Sequence, residues 1–181
     1  MFIRTITNFL SKEECNSIIN EYSQKNLQVA KIGEDLDDEK LFKIRKSSIL
    51  FIELPTIKEK LENLLKSEIK IKGFQLDSIE KFQFTKYDIN NHYDWHTDIG
   101  KSFNDRFCSI VIQLNNEYEG GELIYKNFKH EEITFEKGLG NLFIFNSSVE
   151  HKVNLVTIGV RYSLVSWIKL KPIVGNKKSL L

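Results

Sequence analysis

Thiol chemistry is nearly absent from this sequence. Its two cysteines, Cys15 and Cys108, are far apart and form no Cys-x-x-Cys. That excludes a disulfide scaffold and a thiolate metal site, and it fits a reducing compartment. Cys15 falls on an apolar helical stripe and Cys108 inside a strand-like run, so both read as small buried hydrophobes. Excess charge is missing too. The 26 basic and 25 acidic residues leave a net +1, which gives no global field for nucleic acid or an anionic membrane surface. No apolar run approaches the ~18 residues that span a bilayer. The start, Met1-Phe-Ile-Arg-Thr5, lacks the long apolar run of a signal peptide. The expectation is a soluble, cytoplasmic protein with no membrane partner. Repeats and low-complexity tracts are also absent.

What is present is aromatic and β-branched. Thirteen Phe stand against one Met, and 41% of the residues are hydrophobic, enough for a sizeable core. The 181 residues favour one domain over 1–181. Ser11-Lys-Glu-Glu14 is a capping box, and Cys15, Ile18, Ile19 and Tyr22 follow at helical spacing, which predicts a helix from Lys12 to Tyr22. Thr56-Ile-Lys-Glu59 is a second box, followed by Ile57, Leu61, Leu64 and Leu65 as one stripe. Residues 31–46 read as a charged, solvated loop, with a lid as the functional alternative. From about Lys70 the pattern turns to short β-type runs: Phe74–Leu76, Ile79–Tyr87, Phe107–Leu114, Glu122–Tyr125, Glu132–Phe135, Asn141–Phe145 and Arg161–Ile168. Turn residues separate them. A mainly β fold with flanking helices is expected. Residues 1–70 would support a jelly-roll, double-stranded β-helix core over 71–170, and 171–181 would form a fraying tail.

The chain is organised around Tyr87-Asp-Ile-Asn-Asn-His-Tyr-Asp-Trp-His-Thr-Asp98. In an extended segment His96 and Asp98 emerge on one face. The run Asn141–Phe145 leads through a polar turn to His151. Two imidazoles and one carboxylate with open positions are the ligand set of non-haem Fe(II) oxygenases. Arg161 opens the last strand, on one face with Ser163, Val165 and Trp167, where a buried guanidinium needs an anion. Asp94 shares the same extended face and is an alternative carboxylate ligand. His92, four before His96, suggests a helical zinc pair, but the Glu of a zincin is missing. His130 reads as an exposed hairpin residue. Tyr93 and Trp95 flank the ligands as mouth or core aromatics.

These motifs together resemble the 2-oxoglutarate and Fe(II)-dependent dioxygenases of the prolyl 4-hydroxylase superfamily over about residues 8–168. The first half is Tyr87-x5-Tyr93-x2-His96-x-Asp98. The second is His151-x-Val153-x2-Val156-x2-Gly159-x-Arg161-x-Ser163-x3-Trp167. Tyr118-Glu-Gly-Gly-Glu-Leu123 and an arginine at 161 are similar to the PKHD-type branch. The family often has Gly where this chain has Asn90, a residue that tolerates left-handed angles.

The resemblance implies that His96, Asp98 and His151 bind Fe(II), the family order favouring Asp98 over Asp94. It implies that Arg161 pairs with the distal carboxylate of 2-oxoglutarate, with Tyr87 and Ser163 adding hydrogen bonds. O2 is the second co-substrate and ascorbate a stimulant. The implied reaction hydroxylates a C–H of a prolyl or other amino-acid side chain, in a peptide, a protein or the free amino acid, and releases succinate and CO2. Loops such as 31–46 and 99–106 would contact the substrate. Two other readings compete: a nucleobase demethylase, which would carry a second arginine and an asparagine after the distal His, and a non-catalytic cupin-like binder, which would not need Arg161.

Overall fold

A computed structural model describes residues 2–32, 37–68, 73–100 and 103–173. The expected tail from 174, and residues 33–36 and 101–102 of the two expected substrate loops, lie outside these.

Two antiparallel sheets face each other. The larger runs in the order Ile3–Ile6, Leu142–Asn146, Arg106–Gln113, Arg161–Pro172, Phe82–Tyr87, Ser48–Ile52, Gln28–Val29, and Phe74–Ile79 also pairs with Arg161–Pro172. The smaller runs Glu132–Thr134, Leu123–Lys126, His151–Val153, His92–His96, Arg45–Lys46. Val156–Ile158 and Glu119–Gly120 form a separate short pair. This is the expected jelly-roll core with flanking helices.

Alternation in the large sheet separates two environments. Phe82, Phe84, Ile110, Ile112, Leu164 and Ile168 join Cys15, Ile18, Leu61 and Leu65 of the helices Lys12–Tyr22 and Pro55–Glu68 in one apolar cluster. The opposite side faces the small sheet and is partly polar: Gln83, Thr85, Ser109, Gln113, Arg161 and Ser163 are all buried there. Burial pushes the Cys15 thiol up to about 11 and Cys108 to about 12, so both behave as apolar filler.

The first helix matches its expectation because its capping box forms: Ser11 Oγ accepts from Glu14 N, and Glu14 accepts from Ser11 N. The other expected box does not cap. That helix starts at Pro55, whose fixed φ suits the first helical position, and Lys58 N donates to Leu54 O. Residues 31–46 also differ from the expected loop. Asp37 caps a helix, Asp38–Ile44, by accepting from Lys40 N, and the chain then forms the edge strand Arg45–Lys46.

Candidate metal and anion site

His96 and His151 lie directly opposite each other in the small sheet. Between this pair and the Val153–Tyr93 pair, the His92–His96 strand carries one extra residue, a bulge. Strict alternation would turn Asp94 to the side of His96. The bulge turns Tyr93 there instead, and its ring stacks on the His96 imidazole with centroids 3.5 Å apart. Asp94 is exposed, and its Oδ1 accepts from Trp95 N. His92 is no ligand either: its Nε2 contacts Lys43 O at 3.1 Å and ties the strand to the helix Asp38–Ile44. Trp95 has the ammonium groups of Lys126 and Lys152 over its ring. His130 sits exposed in its turn.

One ligand atom from each of His96, Asp98 and His151 falls within 4.8 Å of the others. His96 Nε2 is 3.8 Å from Asp98 Oδ1, and His151 Nε2 is 3.5 Å from Oδ2. Both rings are fixed from behind. His96 Nδ1 lies 2.7 Å from Asp94 O and His151 Nδ1 lies 2.9 Å from Val149 O. A carbonyl accepts only, so Nδ1 carries the proton and the Nε2 lone pair faces Asp98. Burial, then the neighbouring His151, pushes the His96 imidazole below its ordinary range.

For Asp98 the largest influence is burial, which opposes charge. His151, His96 and a hydrogen bond from Ser109 Oγ at 2.5 Å together outweigh it and hold the carboxyl below its ordinary range. Ser147 Oγ lies 3.1 Å from Ser109 Oγ. Three such donor atoms with outer partners suit a divalent cation.

Arg161 is 1% exposed and opens the strand whose inner face carries Ser163, Val165 and Trp167. Its Nη1 donates to Ser163 Oγ at 3.0 Å, and its guanidinium carbon lies 5.2 Å from the Tyr87 ring centroid. Among the described residues, the buried Nε and Nη2 hydrogen-bond to no acceptor and no carboxylate pairs with this cation. An uncompensated buried charge is costly, so an anion fits these donors. Tyr118 lies alongside, accepting from Gln113 Nε2 at 2.7 Å. Burial raises its phenol, and Arg161 opposes that.

Gly121 (φ +62) makes the room: a Cβ there would sit 3.2 Å from Arg161 Cδ and 2.9 Å from Val156 Cγ2. Gly121→Ala should cost ~1–2 kcal/mol of stability and ~10–100-fold in anion affinity by displacing the guanidinium. Thermal melts and calorimetric titration would read the two effects. Asn90 adopts φ 65, a left-handed conformation that asparagine tolerates better than most residues.

Sequence reasoning missed four groups here. Arg45 is buried, donates to Ser47 Oγ and lies over the Tyr93 ring at 4.5 Å. Ser109 and Gln113 are two others, and the fourth is Tyr118, quoted from the sequence only as part of its turn motif and not for its place beside Arg161. A lone Ser inside the apolar run Phe107–Leu114 was the available signal for Ser109.

Residues 82–169 match the family model described as the 2OG-Fe(II) oxygenase superfamily. Over 112 residues the chain is 37% identical to a PKHD-type hydroxylase of Prochlorococcus marinus, covering 60% of this chain and 50% of that protein. Over 177 residues it is 27% identical to a PKHD-type hydroxylase of Crocosphaera subtropica, covering 92% and 78%. The first alignment thus spans half the length of its relative. Among solved structures, a Pseudomonas putida prolyl-4-hydroxylase shares the fold with TM-score 0.74 and 21% identity, covering 92% of this chain and 91% of that one. A Trichoplax adhaerens prolyl hydroxylase, in complex with a hypoxia inducible factor oxygen degradation domain peptide fragment, does so with TM-score 0.76 and 18% identity, covering 92% and 83%.

Proposed function

Because the chain belongs to the 2OG-Fe(II) oxygenase superfamily, we propose that it is a dioxygenase that hydroxylates an amino-acid side chain, a prolyl residue of a peptide or protein first among them. His96, Asp98 and His151 hold Fe(II), and Arg161 holds the distal carboxylate of 2-oxoglutarate. The observation that carries this reading is the three-ligand cluster together with a buried guanidinium whose Nε and Nη2 have no hydrogen-bond partner among the described residues. A metal-binding protein without an anionic co-substrate has no use for that cation, which argues against the cupin-like binder. A nucleobase demethylase draws no support from the site.

Iron supplies the oxidising chemistry when bound with 2-oxoglutarate and O2. The chain's own residues bind and orient. The planar fork of Arg161 matches a carboxylate in two bonds, and Ser163 Oγ fixes the angle of that fork. The Tyr87 phenol borders the same space. Phe143, Phe145, Val111 and Val153 form dry walls near the ligands, which strengthens every charge interaction inside. The peptide bound to the Trichoplax relative supports a peptide substrate here.

The test is succinate formation from 2-oxoglutarate with Fe(II) and ascorbate, with mass spectrometry for one added oxygen across proline-containing peptides and free amino acids. Coupled succinate and hydroxylated product are expected. No 2-oxoglutarate turnover with any candidate, coupled or uncoupled, would overturn the proposal.

A further inference from the structure

The two imidazoles stand on paired strands, but Asp98 does not. It lies beyond the end of its strand at His96, just before an exposed Ile99 and Gly100. Its orientation therefore rests on clamps. Its N–H donates to Ser147 O at 2.9 Å and its carboxylate accepts from Ser109. Its carbonyl faces a third group, Arg106 Nη1, at a long 3.5 Å.

Arg106 is itself held on every side. Nε and Nη2 donate to the two oxygens of Glu80 at 3.0 and 2.8 Å, a bidentate fork. Its guanidinium carbon lies 3.6 Å from the Trp167 ring centroid and 3.9 Å from that of Phe103. Glu80 is anchored to the strand that carries Trp167: its N–H donates to Trp167 O at 2.9 Å and its carbonyl accepts from Ser166 Oγ at 2.8 Å. Lys169 bridges Glu80 and Asp105, so two acids balance two bases. The Trp167 Nε1 is buried and reaches no acceptor among the described residues.

We infer that Arg106, locked by Glu80 and stacked on Trp167, is a positioning residue for Asp98: it holds the ligand's backbone through the Asp98 carbonyl. The inference rests on Asp98 being a metal ligand and adds what keeps it aimed. A surface ion pair alone would explain little, because such pairs contribute little to stability. Here one guanidinium, fixed by Glu80 and Trp167, reaches the backbone of the one ligand that no strand fixes.

The experiment titrates wild type, Arg106→Met, Arg106→Lys, Glu80→Gln and Trp167→Phe with Co(II), without 2-oxoglutarate or turnover, and records the Co(II) visible spectrum and the melting of the metal-free protein. Arg106→Met and Arg106→Lys should weaken Co(II) by ~10–100-fold, the usual cost of losing an outer partner, and alter the Co(II) bands. Glu80→Gln, which loosens the fork, and Trp167→Phe, which shrinks the ring that Arg106 stacks on, should each show a smaller loss. If Arg106→Met does not fold, Arg106→Lys and Glu80→Gln decide. Folded variants with wild-type Co(II) affinity and spectrum would overturn the inference, leaving Arg106 a packing residue and the proposed function intact. Wild type that binds no Co(II) would overturn the site reading beneath it.

Discussion

Arg161→Met should abolish useful 2-oxoglutarate binding while leaving the metal-free protein as stable as its parent, or more so. The two halves of that result have one cause. Arg161 is almost fully buried, and its Nε and Nη2 have no hydrogen-bond partner among the described residues. In the free protein it is an uncompensated charge, and replacing such a group by an apolar side chain of similar volume is neutral or stabilising by up to ~1–4 kcal/mol. With 2-oxoglutarate present the sign reverses. Losing one partner of a buried charge pair costs roughly 2–5 kcal/mol, about 30-fold to a few thousandfold in affinity. Wild type at a hundredfold excess of ligand over Kd should gain ~2.7 kcal/mol, and the variant at the same concentration under ~1 kcal/mol. Calorimetric titration with thermal melts reads both halves. A variant that melts well below wild type without ligand would show Arg161 to be a structural cation instead.

Asp98→Ala should remove metal binding and leave the anion end intact. Outer partners of a ligand contribute ~10–100-fold, so loss of the carboxylate itself should exceed that, to the point where Co(II) or Fe(II) no longer titrates. The arrangement around it makes the loss local. His96 and His151 keep their Nδ1 hydrogen bonds to Asp94 O and Val149 O, so both rings stay aimed at a site with two neutral ligands. His96→Ala should behave alike. Arg161→Met, by contrast, should retain metal. Equal loss of metal in Asp98→Ala and Arg161→Met would show that the roles are wrongly divided between the two ends of the site.

The sequence made legible what is encoded along one segment. The helix Lys12–Tyr22 follows from its own capping box, and the shared face of Arg161, Ser163, Val165 and Trp167 follows from strand alternation. What depends on a partner strand was not legible. The bulge that exchanges Asp94 for Tyr93 beside His96 exists only in the pairing with His151–Val153, so no pattern within residues 92–96 announces it. The strands Gln28–Val29, Arg45–Lys46 and Val156–Ile158 are too short for a two-residue period to show. Arg45 was hidden for another reason. It follows a run of acids and lysines that reads as solvated surface, yet edge pairing with Tyr93 carries it inward. In Pro55, a fixed backbone angle outweighed the Thr56 box.

The facing placement of His96 and His151 has a consequence for how the chain matures. Side chains in a strand swap sides with every one-residue slip, so a misregistered pairing of these two distant strands would send one imidazole outward and leave no cation socket. Only correctly zipped molecules can take up metal, and metal once captured would staple those two rungs together. Loading would then act as a quality check on assembly, sorting finished molecules from misaligned ones before any substrate arrives.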